Sequence, residues 1–204
     1  MNREKAKNLN RAKICEAAES IIRKEGIKKL TMRRLAEEAR VSIATPYNLF
    51  GSKNDVLISL MMTAEFDTSQ LSSPQANRLA LELLLGALDQ AQQFFEKDEA
   101  FYRAILREIM IAEDTAPSHN GLVQMTAITH AFVIQAIANN ELHEETSADD
   151  LSHHLATILL SVLGMWASGF FSSAEGIAHV RRSWRAVLMD HCTEKSREII
   201  AAIR

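Results

Sequence analysis

A short N-terminal stretch carries side chains of the kinds that proteins use to contact DNA. Thr31 can cap one short helix that Ala39 ends. After a turn at Arg40–Val41, the hydroxyl of Ser42 can accept a backbone N–H at the start of a second helix. In such a pair the second helix enters the major groove, with its N-terminal residues at the base edges. The spacing therefore predicts a helix-turn-helix over residues 31–50.

The second of these helices presents small, apolar and amide side chains, which are types that can distinguish bases. Ala44 and Thr45 can contact a thymine methyl group, and Thr45 can also hydrogen-bond a base edge. Asn48 can bind adenine through two hydrogen bonds. The helix that Thr31 begins offers its N-terminus to a phosphate instead.

The same residues, taken with their neighbours, resemble the N-terminal signature of the TetR family of bacterial transcriptional regulators. That resemblance rests on Thr31, Leu35–Ala36, Ala39, Val41–Ser42, Thr45, Tyr47, Phe50 and Lys53. The match runs from about Lys13 to about Leu60. Two positions depart from the family pattern, because Arg40 replaces the usual glycine of the turn and Pro46 replaces an aliphatic residue. The docking angle on DNA is therefore left open.

The resemblance implies how several side chains meet DNA. Tyr47 and Lys53 are expected to contact the phosphate backbone, while Phe50 packs inward and holds the second helix. For the arginines near the motif, a solvated surface charge is the alternative to a phosphate contact. The residues predicted to contact DNA are Thr31, Arg33, Arg34, Ser42, Ile43, Ala44, Thr45, Tyr47, Asn48 and Lys53.

Charge is distributed unevenly along the chain. Residues 1–60 hold 13 Lys and Arg against 7 Asp and Glu, a net +6, while the remaining residues carry a net −9. A basic head on an acidic body suggests that the head meets a polyanion, with a merely solvated charged face as the alternative. The basic tail over residues 3–11 can reach an adjacent groove as a disordered arm.

Apolar residues at helical spacing, only three prolines and no strand pattern predict an all-α chain of 204 residues. The resemblance implies an N-terminal three-helix helix-turn-helix DNA-binding domain, residues 1–52, and a C-terminal helical effector-binding and dimerisation domain, residues 53–204. A compositional break falls at Ser72–Pro74, and residues 115–121 have the composition of a loop. Helices are expected over about residues 11–24, 51–64, 75–97, 98–113, 122–142, 148–172 and 174–204.

A second copy of the chain is the expected partner for DNA binding, because one helix-turn-helix reads only a few base pairs. The resemblance implies a homodimer through the last two helices, and the penultimate helix independently lacks a polar side. The alternative is that a single-chain core absorbs these side chains. The predicted interface residues are Leu159, Val162, Gly164, Ser168, Trp184 and Leu188.

The resemblance also implies a pocket in the second domain whose occupancy respaces the two recognition helices. Eight methionines give an adaptable interior that suits a small apolar effector molecule. Ordinary core packing is the alternative for each candidate side chain. The predicted lining residues are Met61, Phe66, Phe94, Phe101, Tyr102, Met110, Met125, His130, Phe132 and Trp166.

No residue pattern indicates catalysis, a cofactor or a metal site. Cys15 and Cys192 match no metal or redox spacing and fit a reduced cytoplasm, where the chain is expected to act. His153 and His154 point about 100° apart on a helix and cannot chelate together. The apolar run over residues 155–171 is shorter than the roughly 18 residues of a membrane span, so no membrane partner is expected.

The sequence thus predicts a DNA-binding transcriptional regulator, a ligand-responsive repressor that acts as a homodimer on a palindromic double-stranded DNA operator. The alternative is a ligand-binding or scaffolding protein of the same fold that lacks specific DNA binding. Pro46 and Arg40 are the only residues that favour this alternative.

Overall fold

The computed structural model describes residues 3–63, 79–111 and 115–202, and these residues form helices joined by turns. The helices are α1 (Arg3–Glu25), a 3₁₀ turn (Ile27–Lys29), α2 (Met32–Glu38), α3 (Ala44–Phe50), α4 (Lys53–Thr63), α5 (Ala80–Lys97), α6 (Glu99–Met110), α7 (Thr115–Ala138), α8 (Ala148–Ala167), α9 (Ser173–Met189) and α10 (Glu194–Ala202). The predicted all-α class is confirmed. Extended pairing in the described ranges is limited to one isolated bridge between Leu142 and Cys192.

The chain divides into two compact units. The first unit comprises Met1–Glu65 and Ala100–Ser118, and the second comprises Phe66–Glu99 and His119–Arg204. Helix α4 and nearly all of α6 therefore belong with the helix-turn-helix in the first unit. The compositional break at Ser72–Pro74 lies outside the described residues.

Helix α1 is the centre of the first unit. Ile14, Ala18 and Ile21 recur at helical spacing and have no exposed surface, so one face of α1 is completely covered. Leu35 of α2 and Leu57 of α4 fill the same core and are also fully buried. Each large apolar side chain buried in this way contributes roughly 1.5–3 kcal/mol. This packing holds α2 and α3, which are seven residues each and too short to persist alone.

The N-terminal boundary of α1 differs from the prediction. The helix begins at Arg3, so the basic tail that was expected to form a disordered arm is helical from that residue. Residues 3–25 contain neither glycine nor proline, and nothing in that stretch interrupts the helix. At its other end, Gly26 adopts a φ of 88° and stops the helix where the prediction placed its end.

Two tryptophans lie at the centre of the second unit. Both are about 2% exposed, and both indole N–H groups are satisfied. Trp184 Nε1 donates to the carbonyl of Leu155 at 2.9 Å, and Trp166 Nε1 donates to Ser173 Oγ at 3.1 Å. These bonds tie α9 to α8, and α9 also packs on α5.

The predicted loop at residues 115–121 is wrong, because α7 begins at Thr115. Pro117 is the third residue of that helix, a position in the first turn where a missing N–H costs no hydrogen bond. Residues 122–142 are apolar nearly all round, which predicts a helix buried on every side, and this prediction is also wrong. Val123 and Ile134 are about half exposed, so one side of α7 faces away from the core.

The single helix predicted over residues 174–204 is in fact two helices, α9 and α10. The turn between them is held in place by hydrogen bonding to a second turn that is distant in sequence. His143 N–H donates to the carbonyl of His191 at 2.9 Å beside the bridge between Leu142 and Cys192. Pairing between two turns is a tertiary interaction, so the helical periodicity of residues 174–204 gives no indication of it.

Glu141 is a fully buried carboxylate in the second unit. Its two oxygens accept the backbone N–H groups of Ala80, at 2.8 Å, and Leu81, at 3.0 Å. These are the first residues of α5, and the preceding residue, Leu79, makes no side-chain cap of its own. A negative charge at a helix N-terminus also interacts favourably with the helix dipole. Glu141 therefore caps α5 from a residue about 60 positions away.

The backbone of Glu141 has a separate role. Its carbonyl accepts the N–H of Thr193 at 3.1 Å and the hydroxyl of Ser196, both at the start of α10. One residue thus connects the starts of two helices.

None of the described helices is long and apolar enough to cross a membrane.

Replacing Glu141 with glutamine should destabilise the second unit. One acceptor becomes an amide N–H that faces another N–H, and the free energy of unfolding should fall by about 1–3 kcal/mol. Urea unfolding followed by helical circular dichroism measures this change. The matched control is Glu198→Gln on the exposed side of α10, which should change stability by less than about 0.5 kcal/mol. Equal stabilities for the two variants would contradict the capping role.

Candidate nucleic-acid interface

The helix-turn-helix begins with the predicted cap. Thr31 has an extended backbone, and its Oγ1 accepts the N–H of Arg34 at 3.1 Å, which confirms that it caps α2. Leu35 and Ala36 face the core and leave Thr31 and Arg33 exposed on the other side of α2.

The turn after α2 is a Schellman motif. Ala39 ends the helix as predicted. The N–H of Val41 donates to the carbonyl of Ala36 at 3.0 Å, and the N–H of Arg40 donates to the carbonyl of Glu37 at 3.2 Å. This geometry needs a left-handed residue directly after the cap, and Arg40 takes it with a φ of 55°. An arginine tolerates this backbone at a modest cost that glycine avoids. The turn sets the direction in which α3 leaves α2.

The start of α3 differs from the prediction at Ser42. Its hydroxyl is bonded to Thr45 Oγ1 at 2.8 Å, and no side chain caps the helix. The N–H of Thr45, which the serine hydroxyl would need, donates to the backbone carbonyl of Ser42 at 2.9 Å instead. Pro46 is buried and is the third residue of α3, within the first turn, where a missing N–H is tolerated.

One face of α3 is exposed and carries no charge. Ile43 is 57% exposed and Tyr47 is 53% exposed, and Ala44 and Asn48 lie beside them at helical spacing. Thr45 is half-buried. Small apolar and amide groups on a protruding helix can approach base edges closely.

Arg11 of α1 holds the other end of α3. Its Nη2 donates to the carbonyl of Leu49 at 2.5 Å, and its guanidinium lies 4.8 Å from the centre of the Phe50 ring. The last carbonyls of a helix have no intrahelical partner, so this contact satisfies one of them. The sequence placed Arg11 in the basic tail. A contact across 38 residues leaves no local signal that could have identified this role.

The two arginines of α2 are already paired within the first unit. Arg33 Nε lies 3.2 Å from Glu37, and its side chain is 79% exposed. Arg34 contacts Glu25 at 2.7 Å and Glu38 at 3.0 Å. The hydrogen bond from Arg34 lowers the pKa of Glu25, and the same bond raises the pKa of Arg34. Arg34 therefore joins α2 to the end of α1.

Lys53 is the first residue of α4, directly after the turn at Gly51. Ser52 and Asp55 cap this helix reciprocally, because Asp55 N–H donates to Ser52 Oγ at 3.1 Å and Ser52 N–H donates to Asp55 Oδ2 at 3.0 Å. Lys53 Nζ donates to Glu108 Oε1 of α6 at 2.5 Å. This ion pair was not anticipated from the sequence.

The predicted effector-lining residues are divided between the two units. In the first unit, Met61 and Phe101 pack against the core, Tyr102 lies edge-on to Phe101, and Met110 is 56% exposed. The second unit contains Phe94, Met125, His130, Phe132 and Trp166. Phe66 lies outside the described residues.

Within the second unit, three aromatic rings form a cluster through one edge-on and one tilted contact. The Phe95 ring centre lies 5.4 Å from that of Phe94 and 4.9 Å from that of Trp166. Phe132 is buried, whereas His130 is partly exposed and places Nε2 3.1 Å from Asp149. The aromatic cluster is apolar apart from the satisfied indole N–H.

The predicted dimer residues fall into two groups. Trp184 and Leu188 are completely buried within the single chain, and Gly164 is buried as well. Leu159 and Val162 are half-buried and line an apolar cleft between α8 and α9, while Ser168 is exposed. The other residues along the cleft are Phe95, Leu163, Trp166, Ser173, Gly176, Ile177 and Val180.

Replacing Arg40 with glycine should stabilise the first unit. Glycine adopts the left-handed φ of the Schellman turn without strain, so the free energy of unfolding should rise by roughly 0.5–1 kcal/mol. Thermal unfolding measures the change. Arg33→Gly, an exposed site inside α2, removes the same charge and should lower stability by about 1 kcal/mol. A loss of stability in both variants would contradict the interpretation of the turn.

Comparison with known proteins identifies the same part of the chain. A family model described as bacterial regulatory proteins, tetR family, matches residues 14–60. The chain is 27% identical over 178 residues to the HTH-type transcriptional repressor KstR of Rhodococcus jostii, a match that covers 85% of this chain and 80% of the relative. It is 25% identical over 173 residues to the repressor of the same name from Mycobacterium tuberculosis, covering 82% and 72% of the two chains.

A solved structure of another repressor shares the fold of this chain. The TetR-family repressor FadR of Thermus thermophilus, solved in complex with lauroyl-CoA, superposes with a TM-score of 0.69 at 16% identity. That superposition covers 90% of this chain and 96% of the repressor. The signature at residues 31–53, the matching family model and the shared all-α fold agree: the chain belongs to the TetR family of bacterial regulatory proteins.

Proposed function

We propose that this protein is a ligand-responsive transcriptional repressor that binds a palindromic DNA operator as a homodimer. The exposed, uncharged face of α3 is the observation that carries the proposal. Ile43, Ala44, Tyr47 and Asn48 project from a short helix whose ends are held by a Schellman turn and by Arg11. In a helix-turn-helix such a face is the one that enters the major groove.

The proposed contacts divide by chemistry. Ser42, Ile43, Ala44, Thr45 and Asn48 read base edges. Tyr47 and Lys53 contact phosphates, as does Thr31 at the start of α2, with Arg33 and Arg34 next to it. The two repressors that this chain is similar to over most of its length support transcriptional repression as the outcome of binding.

The proposed dimer forms along α8 and α9. Leu159 and Val162 are apolar, half-buried and arranged along an open cleft, and Met165 on the same helix is 44% exposed. A second copy would cover these groups. Trp184 and Leu188 support the interface from inside each chain, because their own surfaces are already buried. Dimerisation would space two α3 helices for successive major grooves, roughly 34–36 Å apart.

The proposed effector is a small apolar molecule bound in the second unit. Phe94 and Met125 are partly exposed, and the aromatic side chains of Trp166 and Phe132 are buried in the same unit and would line the pocket once an effector enters. FadR, which shares the fold, was solved in complex with lauroyl-CoA. An effector releases DNA only if it binds the non-binding conformation more tightly.

Selection of bound sequences from a random duplex pool tests the proposed function. The expected winner is a palindrome whose affinity far exceeds that for random DNA and falls steeply as salt rises. A folded protein that enriches no sequence would overturn the proposal and favour a ligand-binding or scaffolding protein without specific DNA binding.

Tyr47→Ala should weaken binding to the selected duplex by about tenfold or more, because a contact from the exposed face of α3 is lost. Fluorescence anisotropy measures the affinity, and light scattering should give an unchanged mass. Tyr47→Phe should lose a similar amount if the hydroxyl meets a phosphate. Val123→Ala, an equally exposed apolar site on α7, should bind as the unchanged protein does. Wild-type affinity in Tyr47→Ala would show that the docking mode is wrong.

Leu159→Arg should convert the dimer to a monomer, because an unpaired charge in an apolar interface is costly to desolvate. Multi-angle light scattering should show a halved mass, and operator affinity should fall by about a hundredfold or more as the second half-site is lost. The control is Val123→Arg, which adds the same charge outside the proposed interface. A dimeric Leu159→Arg variant with normal unfolding would refute this interface.

A further inference from the structure

Lys53 is engaged by a carboxylate within its own chain. Its Nζ lies 2.5 Å from Glu108 Oε1, and the side chains are 32% and 19% exposed. Both residues belong to the first unit, yet they are 55 positions apart in sequence. A partly buried pair loses less of its attraction to solvent than a fully exposed one.

The carboxylate of Glu108 is held in place by the packing of α6. Ile105, one turn earlier on the same side of the helix, has no exposed surface and belongs to the core that α1 and α4 share. Phe101 and Ile109 pack against that core as well. Glu108 therefore faces the start of α4 from a fixed helix.

This pair differs from the other ion pairs near the recognition helix. Arg33 pairs with Glu37 within one helix, and its side chain is 79% exposed, so the pair can part at little cost. Arg34 is shared by two carboxylates and joins α1 to α2. Lys53 instead couples the first residue of α4 to α6, which contributes no residue to the helix-turn-helix.

We propose that Glu108 is an anionic competitor for Lys53 that limits the affinity of the protein for DNA phosphates. The proposal rests on the proposed function, in which Lys53 contacts the DNA backbone. On docking, the ammonium leaves the carboxylate for a phosphate oxygen. The carboxylate then faces a second anion and must recruit a cation from solution. Helix α6 sets how readily this exchange takes place, because it positions the carboxylate.

The exchange has a thermodynamic signature. A lysine that neutralises a phosphate normally releases about one condensed cation, which steepens the dependence of affinity on salt. Here the vacated carboxylate takes up a cation, so the net release at this contact is close to zero. Removing the carboxylate should restore the release of a cation when Lys53 contacts a phosphate. A role in stability alone would not change the salt dependence in this way.

The test measures binding of the full-length protein to a labelled duplex, across a series of salt concentrations, with Glu108→Gln as the variant. At low salt this variant should bind roughly three- to tenfold more tightly than the unchanged protein. The slope of log affinity against log salt should be steeper by about 0.9 per protomer. Glu108→Asp, which keeps the charge but draws the carboxylate back by one methylene, should show a smaller gain and serves if the glutamine variant unfolds.

Two further variants separate competition from a general change in charge. Glu96→Gln removes the same charge from the exposed part of α5, where Gln92 is its partner, and should leave both affinity and slope almost unchanged. In a Lys53→Gln background, Glu108→Gln should give no more gain than Glu96→Gln does. The double-mutant cycle therefore assigns the effect to the lysine.

The outcomes that overturn the proposal are distinct. Weaker binding by Glu108→Gln would mean that Glu108 positions Lys53 for phosphate rather than competing with it. An unchanged slope, or an equal gain in the Lys53→Gln background, would exclude exchange at this lysine. Both results leave the proposed function intact, because the unchanged protein still binds DNA. A folded protein that binds no duplex even at low salt would instead refute the proposed function and this inference with it.

Discussion

Burial of one face of α1 is the constraint on which the nucleic-acid interface depends. The two helices of the motif are seven residues each, too short to be stable in water by themselves. They persist because Leu35 and its neighbours complete a core with Ile14, Ala18 and Ile21 of α1. The same helix supplies Arg11, which satisfies a carbonyl at the end of α3. Stability and the presentation of α3 thus come from one packing surface, and the face of α3 that is proposed to read bases can stay uncharged and exposed.

The second unit uses a different kind of constraint, a buried polar one. Glu141 is withdrawn from solvent, and its carboxylate is satisfied by the first N–H groups of α5, while its carbonyl holds the start of α10. A buried carboxylate without these partners would be strongly destabilising. Satisfied in this way, it determines where both helices begin. The aromatic cluster of Phe94, Phe95 and Trp166 is built on α5 and α8, so the position of α5 bears directly on any ligand surface there.

In the first unit, basic side chains are paired with carboxylates, and these ion pairs matter more than the net positive charge. Residues 1–60 carry a net +6, which suits a partner such as DNA. Much of that charge is nevertheless committed within the chain, since Arg34 and Lys53 each meet a carboxylate at 2.7 Å or less. In the proposed docking mode, these internal ion pairs are exchanged for phosphate contacts. The proposed DNA affinity then depends on the difference between two sets of interactions, and either set can be adjusted.

The sequence by itself determined the motif, the all-α class and the family, because caps, turns and apolar spacing are local and act within a few residues. Thr31 and Ala39 stand at the boundaries expected of them, and Arg40 lies in the turn where the sequence placed it. Tertiary structure alone decided the partners of Arg11, Lys53 and Glu141, each 38 to 61 residues from its contact. It also decided that α9 and α10 are separate and that Trp184 lies inside its own chain. Those outcomes depend on which distant surfaces meet, and periodicity within one segment carries no information about its neighbour in space.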